Sequence, residues 1–291
     1  MCGIVGLFLK DQELEPQLGA LLAQMLVTMT GRGPDSAGIA IYRGADDGNM
    51  KITVQSANPD VDFEGLEERL GADVLRSDTH AIISCPADEA DAVQAKLAAI
   101  PELRVMSVGD AIEIYKEVGR PAEVAERFDI SLLSGTHGIG HTRMATESAI
   151  TTLGAHPFST GADQCLVHNG ALSNHNSLRR DLEDSGISVM SACDTEAAAA
   201  YLTMKMKQGA NLGEALEAGL DDIDGCFTFV IGTKDGFGVL RDPIACKPAV
   251  MAETDQYVAM GSEFQALAHL PGIDSARVWE PEPATVYFWE R

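Results

Sequence analysis

Positive charge is what this chain has least of. Its 291 residues carry 21 Lys and Arg against 44 Asp and Glu, a formal net charge of −23. Nucleic-acid binding draws much of its affinity from basic side chains on phosphates, so no nucleic-acid partner is expected. An anionic small substrate stays open, because one local Arg inverts the field; the acidity itself reads as solubility. Long apolar runs are also missing. None approaches the ~20 residues of a membrane span, and no basic region leads into an apolar stretch at the N-terminus, so neither a membrane span nor a signal peptide is expected. The cysteines Cys2, Cys85, Cys165, Cys193, Cys226 and Cys246 form no CxxC pair. That argues against zinc ribbons and iron–sulfur motifs, and no metal site is expected. Scattered thiols without a secretion signal point to the reduced cytoplasm. Internal repeats and low-complexity segments are absent too.

What is there begins at the second residue. The chain opens Met1-Cys2-Gly3-Ile4-Val5-Gly6-Leu7-Phe8. With Met1 removed, Cys2 carries both a thiol and a free α-amine. A thiol has a pKa of about 8.5 and an α-amine about 7.7–8.0, so the amine is matched to take the thiol proton. Nucleophile and base then share one residue. The bland alternative is that position 2 merely tolerates a small side chain.

Periodicity organises the rest. Ile4–Leu9 reads as a buried strand, and Leu18, Leu21, Leu22, Met25, Leu26 and Met29 recur at helical spacing. Gly38–Arg43 reads as the next strand. Asp194–Lys207 reads as a helix with Asp194 or Thr195 as N-cap. The tail holds short strands at Cys226–Ile231, Gly236–Arg241, Ala249–Ala252, Tyr257–Met260 and Thr285–Trp289. The stretch from about 58 to 130 reads strand, helix, strand and strand, with little that looks catalytic. It is expected to be a small α+β insertion into one domain spanning 2–291.

Four clusters carry chemistry. Arg32-Gly33-Pro34-Asp35-Ser36-Ala37-Gly38 alone would be a turn. Gly140-His141-Thr142-Arg143-Met144-Ala145-Thr146, followed by Ala155-His156-Pro157, offers an Arg and hydroxyls that can clamp a carboxylate. Val167-His168-Asn169-Gly170 is either a hairpin turn or an oxyanion hole built from the Asn169 amide and the Gly170 N–H. Cys193-Asp194-Thr195-Glu196 is either an acidic helix start or the partner of a substrate ammonium. A carboxylate clamp, an ammonium partner, an oxyanion hole and an activated thiol together suit an amino acid with a side-chain amide, and glutamine fits.

With these motifs in this order, the chain resembles the class II glutamine amidotransferases, the N-terminal-nucleophile glutaminases. Arg241-Asp242-Pro243, Lys247-Pro248 and Ser262-Glu263-Phe264-Gln265-Ala266-Leu267 add to the likeness. The resemblance implies an α+β fold, a four-layer αββα sandwich of two antiparallel sheets. It implies Cys2 as nucleophile with its amine as base, and Asn169 and Gly170 as oxyanion hole. Arg143, assisted by Thr146, would hold the glutamine carboxylate, and Asp194 the ammonium. Arg32 and His156 would shape the pocket from behind. The loop after the Arg departs from the family's usual Arg-Trp-Ala-Thr-His-Gly and reads Arg143-Met144-Ala145-Thr146-Glu147-Ser148.

The known members that carry a synthase domain have no counterpart to it here, so the ammonia is expected to go to another polypeptide. The segment 168–180 and the insertion look most like the stand-alone amidotransferase subunits of glutamate-synthase-like complexes, as in N-methylglutamate synthase and GlxB-type proteins. The implied partners are synthase subunits resembling the flavin and GXGXG-type domains of glutamate synthase, with no cofactor in this chain. Two further readings are a stand-alone γ-glutamyl hydrolase, whose members tend to begin Met-Cys-Arg, and a non-catalytic regulatory subunit.

Overall fold

The computed structural model describes residues 2–44, 48–145 and 149–291. Two antiparallel sheets stack face to face with helices on both outer surfaces, the four-layer α+β sandwich of the N-terminal-nucleophile hydrolases. The first sheet has seven strands in the order β15 (Arg277–Trp279), β13 (Val250–Glu253), β14 (Tyr257–Gly261), β1 (Gly3–Leu9), β8 (His137–Arg143), β2 (Ser36–Tyr42) and β7 (Ile112–Val118). The second has five: β16 (Thr285–Glu290), β12 (Gly236–Arg241), β11 (Gly225–Gly232), β10 (Gln164–Leu172) and β9 (Phe158–Gly161).

Alternation along each strand decides which layer a side chain joins. In β1, Val5, Leu7 and Leu9 pack with Leu18, Leu22 and Leu26 of helix α1 (Leu18–Thr28) on the outside. Ile4 and Phe8 face inward, against Val167 of β10 and Val230, Phe237 and Val239 of β11 and β12. Beneath the second sheet, Leu166, Phe227, Phe229 and Leu240 pack on helices α6 (His175–Asp184), α7 (Asp194–Lys207) and α8 (Leu212–Asp222). Every residue of β1 is buried because both faces are covered.

A third sheet of four strands, in the order β4 (Asp73–Ser77), β5 (His80–Pro86), β3 (Asn49–Ser56) and β6 (Leu103–Gly109), stands apart. One face buries Ile52, Val54 and Ile83 against Leu66 and Leu70 of α3 (Leu66–Leu70) and Val93 and Leu97 of α4 (Ala90–Ala98), with the single turn α2 (Pro59–Asp62) alongside. This sheet runs from Asn49 to Gly109, so the insertion bounds of about 58 and 130 read from the sequence do not coincide with it. β3 precedes the first bound; β7 and α5 (Pro121–Arg127) lie before the second, yet pack with the seven-stranded sheet.

The two residues between β6 and β7 resemble a hairpin turn, but the chain changes sheets there. Asp163, in the β9–β10 turn, accepts hydrogen bonds on its carboxylate from the N–H groups of Asp110, Ala111 and Ile112 at 2.7, 2.8 and 3.0 Å. Its own N–H donates to Val108 O at 2.9 Å. These bonds satisfy the backbone where the strand pairing stops.

The cysteines are not all the scattered thiols expected of them. Cys226 and Cys246 are joined in a disulfide, whereas Cys2, Cys85, Cys165 and Cys193 are free thiols. The hairpin of β11 and β12 carries the two residues together across a sequence separation of 20, and no spacing motif marks the pair. No described helix is long and apolar enough to cross a membrane.

Candidate active site

One end of the gap between the sheets is polar. Gly3 pairs with Thr142 and Ile4 with His141, so Cys2, just before β1, lies level with Arg143 at the end of β8. Ser36 pairs with Arg143 from the other side. Strand alternation sends Cys2 to the same side as Ile4, into the gap. From the facing sheet, Asn169 follows Cys165 and Val167 at every second position and faces the same gap. A hydrogen bond of 3.1 Å between His141 Nε2 and His168 O ties the sheets together beside these residues.

The thiol of Cys2 is half-buried and lies 4.0 Å from Met144 O. Arg32 donates from Nε to Cys2 O at 3.0 Å and pairs through Nη1 with Glu263 Oε1 at 2.5 Å, which fixes the backbone of the nucleophile candidate. Gly33 is required for close approach: a Cβ there would sit 2.4 Å from the carbonyl of Thr142. Asp35 accepts on Oδ2 from Ala145 N–H at 2.8 Å and so holds the start of the loop after Arg143. Arg143 is buried, and its Nη1 reaches Ala149 O at 3.4 Å.

Asn169 is buried, and its Nδ2 has no partner among the described residues. Gly170 has φ +153°, and a Cβ on it would meet Cys226 O at 2.0 Å, so only glycine fits. Asp194 opens α7 and accepts on Oδ2 from Leu172 N–H at 2.9 Å. Burial would raise its pKa, but hydrogen bonds and charge from His168, with the N–H groups of Leu172 and Thr195, outweigh burial and hold the carboxyl well below its ordinary range. Asp194 is therefore ionised.

Behind Asp194 lies a group of buried imidazoles. His141 and His156 stack with centroids 3.9 Å apart. Burial drives His141 down to about 3 and His156 well below its ordinary value, so both rings are neutral. Lys116, from β7, is buried and donates to Ala155 O and Pro157 O at 2.8 and 3.1 Å, on either side of His156. Its ammonium lies 4.4 Å from the Phe158 ring centre. Burial lowers its pKa to about 8, against the opposing influence of Cys193 and Glu196.

Comparison with known proteins adds to this geometry. The glutamine amidotransferase domain family matches residues 141–269. Over its whole length the chain is 64% identical to the glutamine amidotransferase-like protein GlxB of Rhizobium meliloti (strain 1021), covering 98% of that protein. The chain belongs to the class II glutamine amidotransferase family. Part of it, 54%, is 33% identical to glutamine–fructose-6-phosphate aminotransferase of Mycobacterium bovis, covering 26% of that enzyme. The fold is that of glutamine phosphoribosylpyrophosphate amidotransferase from B. subtilis. That match has a TM-score of 0.66 at 19% identity, over 99% of this chain and 47% of the other.

Among the expected site residues, the fold brings Cys2, Arg143, Asn169 and Gly170 to one end of the intersheet gap. Asp194 bonds to the end of the strand that carries Asn169, and Arg32 and His156 stand behind the site. Thr146 and Met1 lie outside the described residues. The contacts of Lys116, and those of His168 and Thr195 around Asp194, are not evident from the sequence. His168 and Thr195 stood inside motifs already quoted; Lys116 had no signal, because its contacts, Ala155 O and Pro157 O, lie in the distant loop before β9. Among the described residues, no three His, Cys, Asp or Glu side chains converge as metal ligands would.

Proposed function

We propose that this chain is a glutaminase subunit that hydrolyses glutamine through a γ-glutamyl thioester on Cys2. The observation that carries this reading is the pairing of a thiol at the mouth of the gap with the unpartnered, buried Asn169 amide that faces the same gap. With Met1 removed, the Cys2 α-amine takes the thiol proton and the thiolate attacks the side-chain carbonyl of glutamine. Asn169 and the Gly170 N–H receive the oxyanion. The amine returns the proton to the leaving nitrogen, ammonia departs and the thioester forms. Water, deprotonated by the same amine, then releases glutamate. Arg143, with Thr146, holds the substrate carboxylate, and Asp194 its ammonium. Arg32 and His156 shape the pocket.

The ammonia goes to a separate partner, a synthase of the glutamate-synthase or N-methylglutamate-synthase kind, and this chain needs no cofactor of its own. Exposed apolar side chains at Met144, Ile150, Leu153 and Phe264, in the segments that flank the site, favour a docked partner. Glutamine hydrolysis by the purified chain and its Cys2→Ala variant, with intact-mass analysis, tests the catalytic part. The variant should fold and show no turnover, and the active protein should lack Met1. Turnover by the variant, or full activity with Met1 retained, would sink the reading. Co-expression with the partner synthase should raise kcat/KM at least about tenfold; an unchanged value would favour a stand-alone hydrolase.

A further inference from the structure

Thr195 stands at the meeting point of three side chains, although it is fully buried and cannot touch solvent. Its Oγ1 is 2.7 Å from His156 Nε2, 3.0 Å from His168 Nδ1 and 3.4 Å from Asp194 Oδ1. His168 Nδ1 is itself 3.6 Å from the same Asp194 oxygen. A hydroxyl has one proton and two lone pairs. An ionised carboxylate only accepts. Thr195 can therefore donate to Asp194 while accepting from both rings, provided His156 is protonated on Nε2 and His168 on Nδ1. The surroundings agree with those tautomers: His156 Nδ1 and His168 Nε2 have no partner among the described residues, so neither competes for the proton.

Both rings are fixed from outside. Lys116 clamps the carbonyls on either side of His156, and His141 stacks on its face. His168 stands edge-on to Phe229, with ring centres 5.3 Å apart. The hydroxyl is thus held by two immobile donors and has one direction left for its own proton.

We infer that Thr195 is a positioning residue: its hydroxyl, oriented by His156 and His168, aims the Asp194 carboxylate at the amino group of the bound amino acid. The inference rests on the reading of Asp194 given above. It adds that binding of the amino end depends on a side chain that never touches the substrate.

The test uses glutamine protection of Cys2 against iodoacetamide in the full chain, which reads affinity without needing turnover. Thr195→Val keeps the shape and removes the hydroxyl. It should raise the half-protecting glutamine concentration about tenfold while leaving the alkylation rate without glutamine unchanged. Thr195→Ser should recover most of that loss. In an Asp194→Asn background, Thr195→Val should add little, because its only route to the substrate is already cut. An unchanged half-protecting concentration in Thr195→Val, or the full tenfold loss persisting in the Asp194→Asn background, overturns the inference. If Asp194→Asn alone leaves protection unchanged, the reading of Asp194 falls instead. Should Thr195→Val unfold, the comparison of Thr195→Ser with Thr195→Ala decides on the same readout: equal losses overturn the inference, and retention in the Ser variant supports it.

Discussion

The four-stranded sheet and the polar end of the gap both bury polar groups, but they treat them differently. In the four-stranded sheet they are paired. Ser107 Oγ donates to Thr53 Oγ1 at 3.0 Å, Lys51 reaches Glu113 at 2.8 Å, and Ser56 bonds to Asp62. Of the described residues from Asn49 to Gly109, His80 alone has a buried side-chain atom without a partner. At the end of the gap, Ser36, Asn169, Thr228 and His141 all have one, and His156 and His168, behind Asp194, each have another. A buried donor or acceptor left unpaired costs about 1–3 kcal/mol, so their concentration in one place marks where a ligand completes the structure. The first region spends its polarity on holding its own fold, and the second keeps it for something else.

Substitutions can break or sharpen that contrast. The largest effect is expected at Asn169. Asn169→Ala should slow acylation of Cys2 by glutamine about 10²–10³-fold, the usual cost of losing an oxyanion donor, with a much smaller change in unfolding free energy. Single-turnover kinetics beside chemical denaturation measures both, and a variant that loses stability but keeps its rate would reverse the contrast. Next is Leu97, buried under the four-stranded sheet. Leu97→Ala should cost about 2–5 kcal/mol of stability and leave glutamine protection of Cys2 unchanged. A weakened glutamine affinity there would show that the two regions are energetically one.

The smallest effect belongs to Lys116, which sits between them. In the folded chain its pKa is lowered to about 8, whereas an unfolded lysine titrates near about 10.4. Between those values the unfolded chain binds more protons, so this residue makes unfolding free energy rise with pH across that window. Below pH 8 both states are protonated, and the penalty of the buried charge is fully present. Lys116→Met should reduce the slope of unfolding free energy against pH between 8 and about 10.4. Equal slopes for variant and parent would show that this ammonium titrates normally.

Local pattern carried much of the fold. The all-buried strand after Cys2, helix α1, helix α7 and the short strands of the tail follow from periodicity over a few residues, and each falls within a residue or two of its expected bounds. The residues Cys2, Arg143, Asn169 and Asp194 stand out as candidates because side-chain chemistry is written in their motifs. What periodicity could not show was which strands pair. β6 and β7 read as neighbours along the chain, but a carboxylate more than fifty residues away separates them into different sheets. The surroundings of Asp194 were hidden for the same reason: His156 and His168 lie far from it along the chain, and only the packing of α7 on β10 brings them to its neighbour Thr195. The Cys226–Cys246 bond likewise depends on a hairpin and not on a spacing.

Asp163 gives the crossing between the sheets an unusual solvent chemistry. Amide hydrogens in a short connection normally trade with water quickly, because nothing holds them. Here the hydrogens of Asp110, Ala111 and Ile112 all end on one buried carboxylate. Their exchange has to wait for that single side chain to let go, so three consecutive amides, two in the connection and one at the start of β7, share one opening event and keep time with the strands on either side.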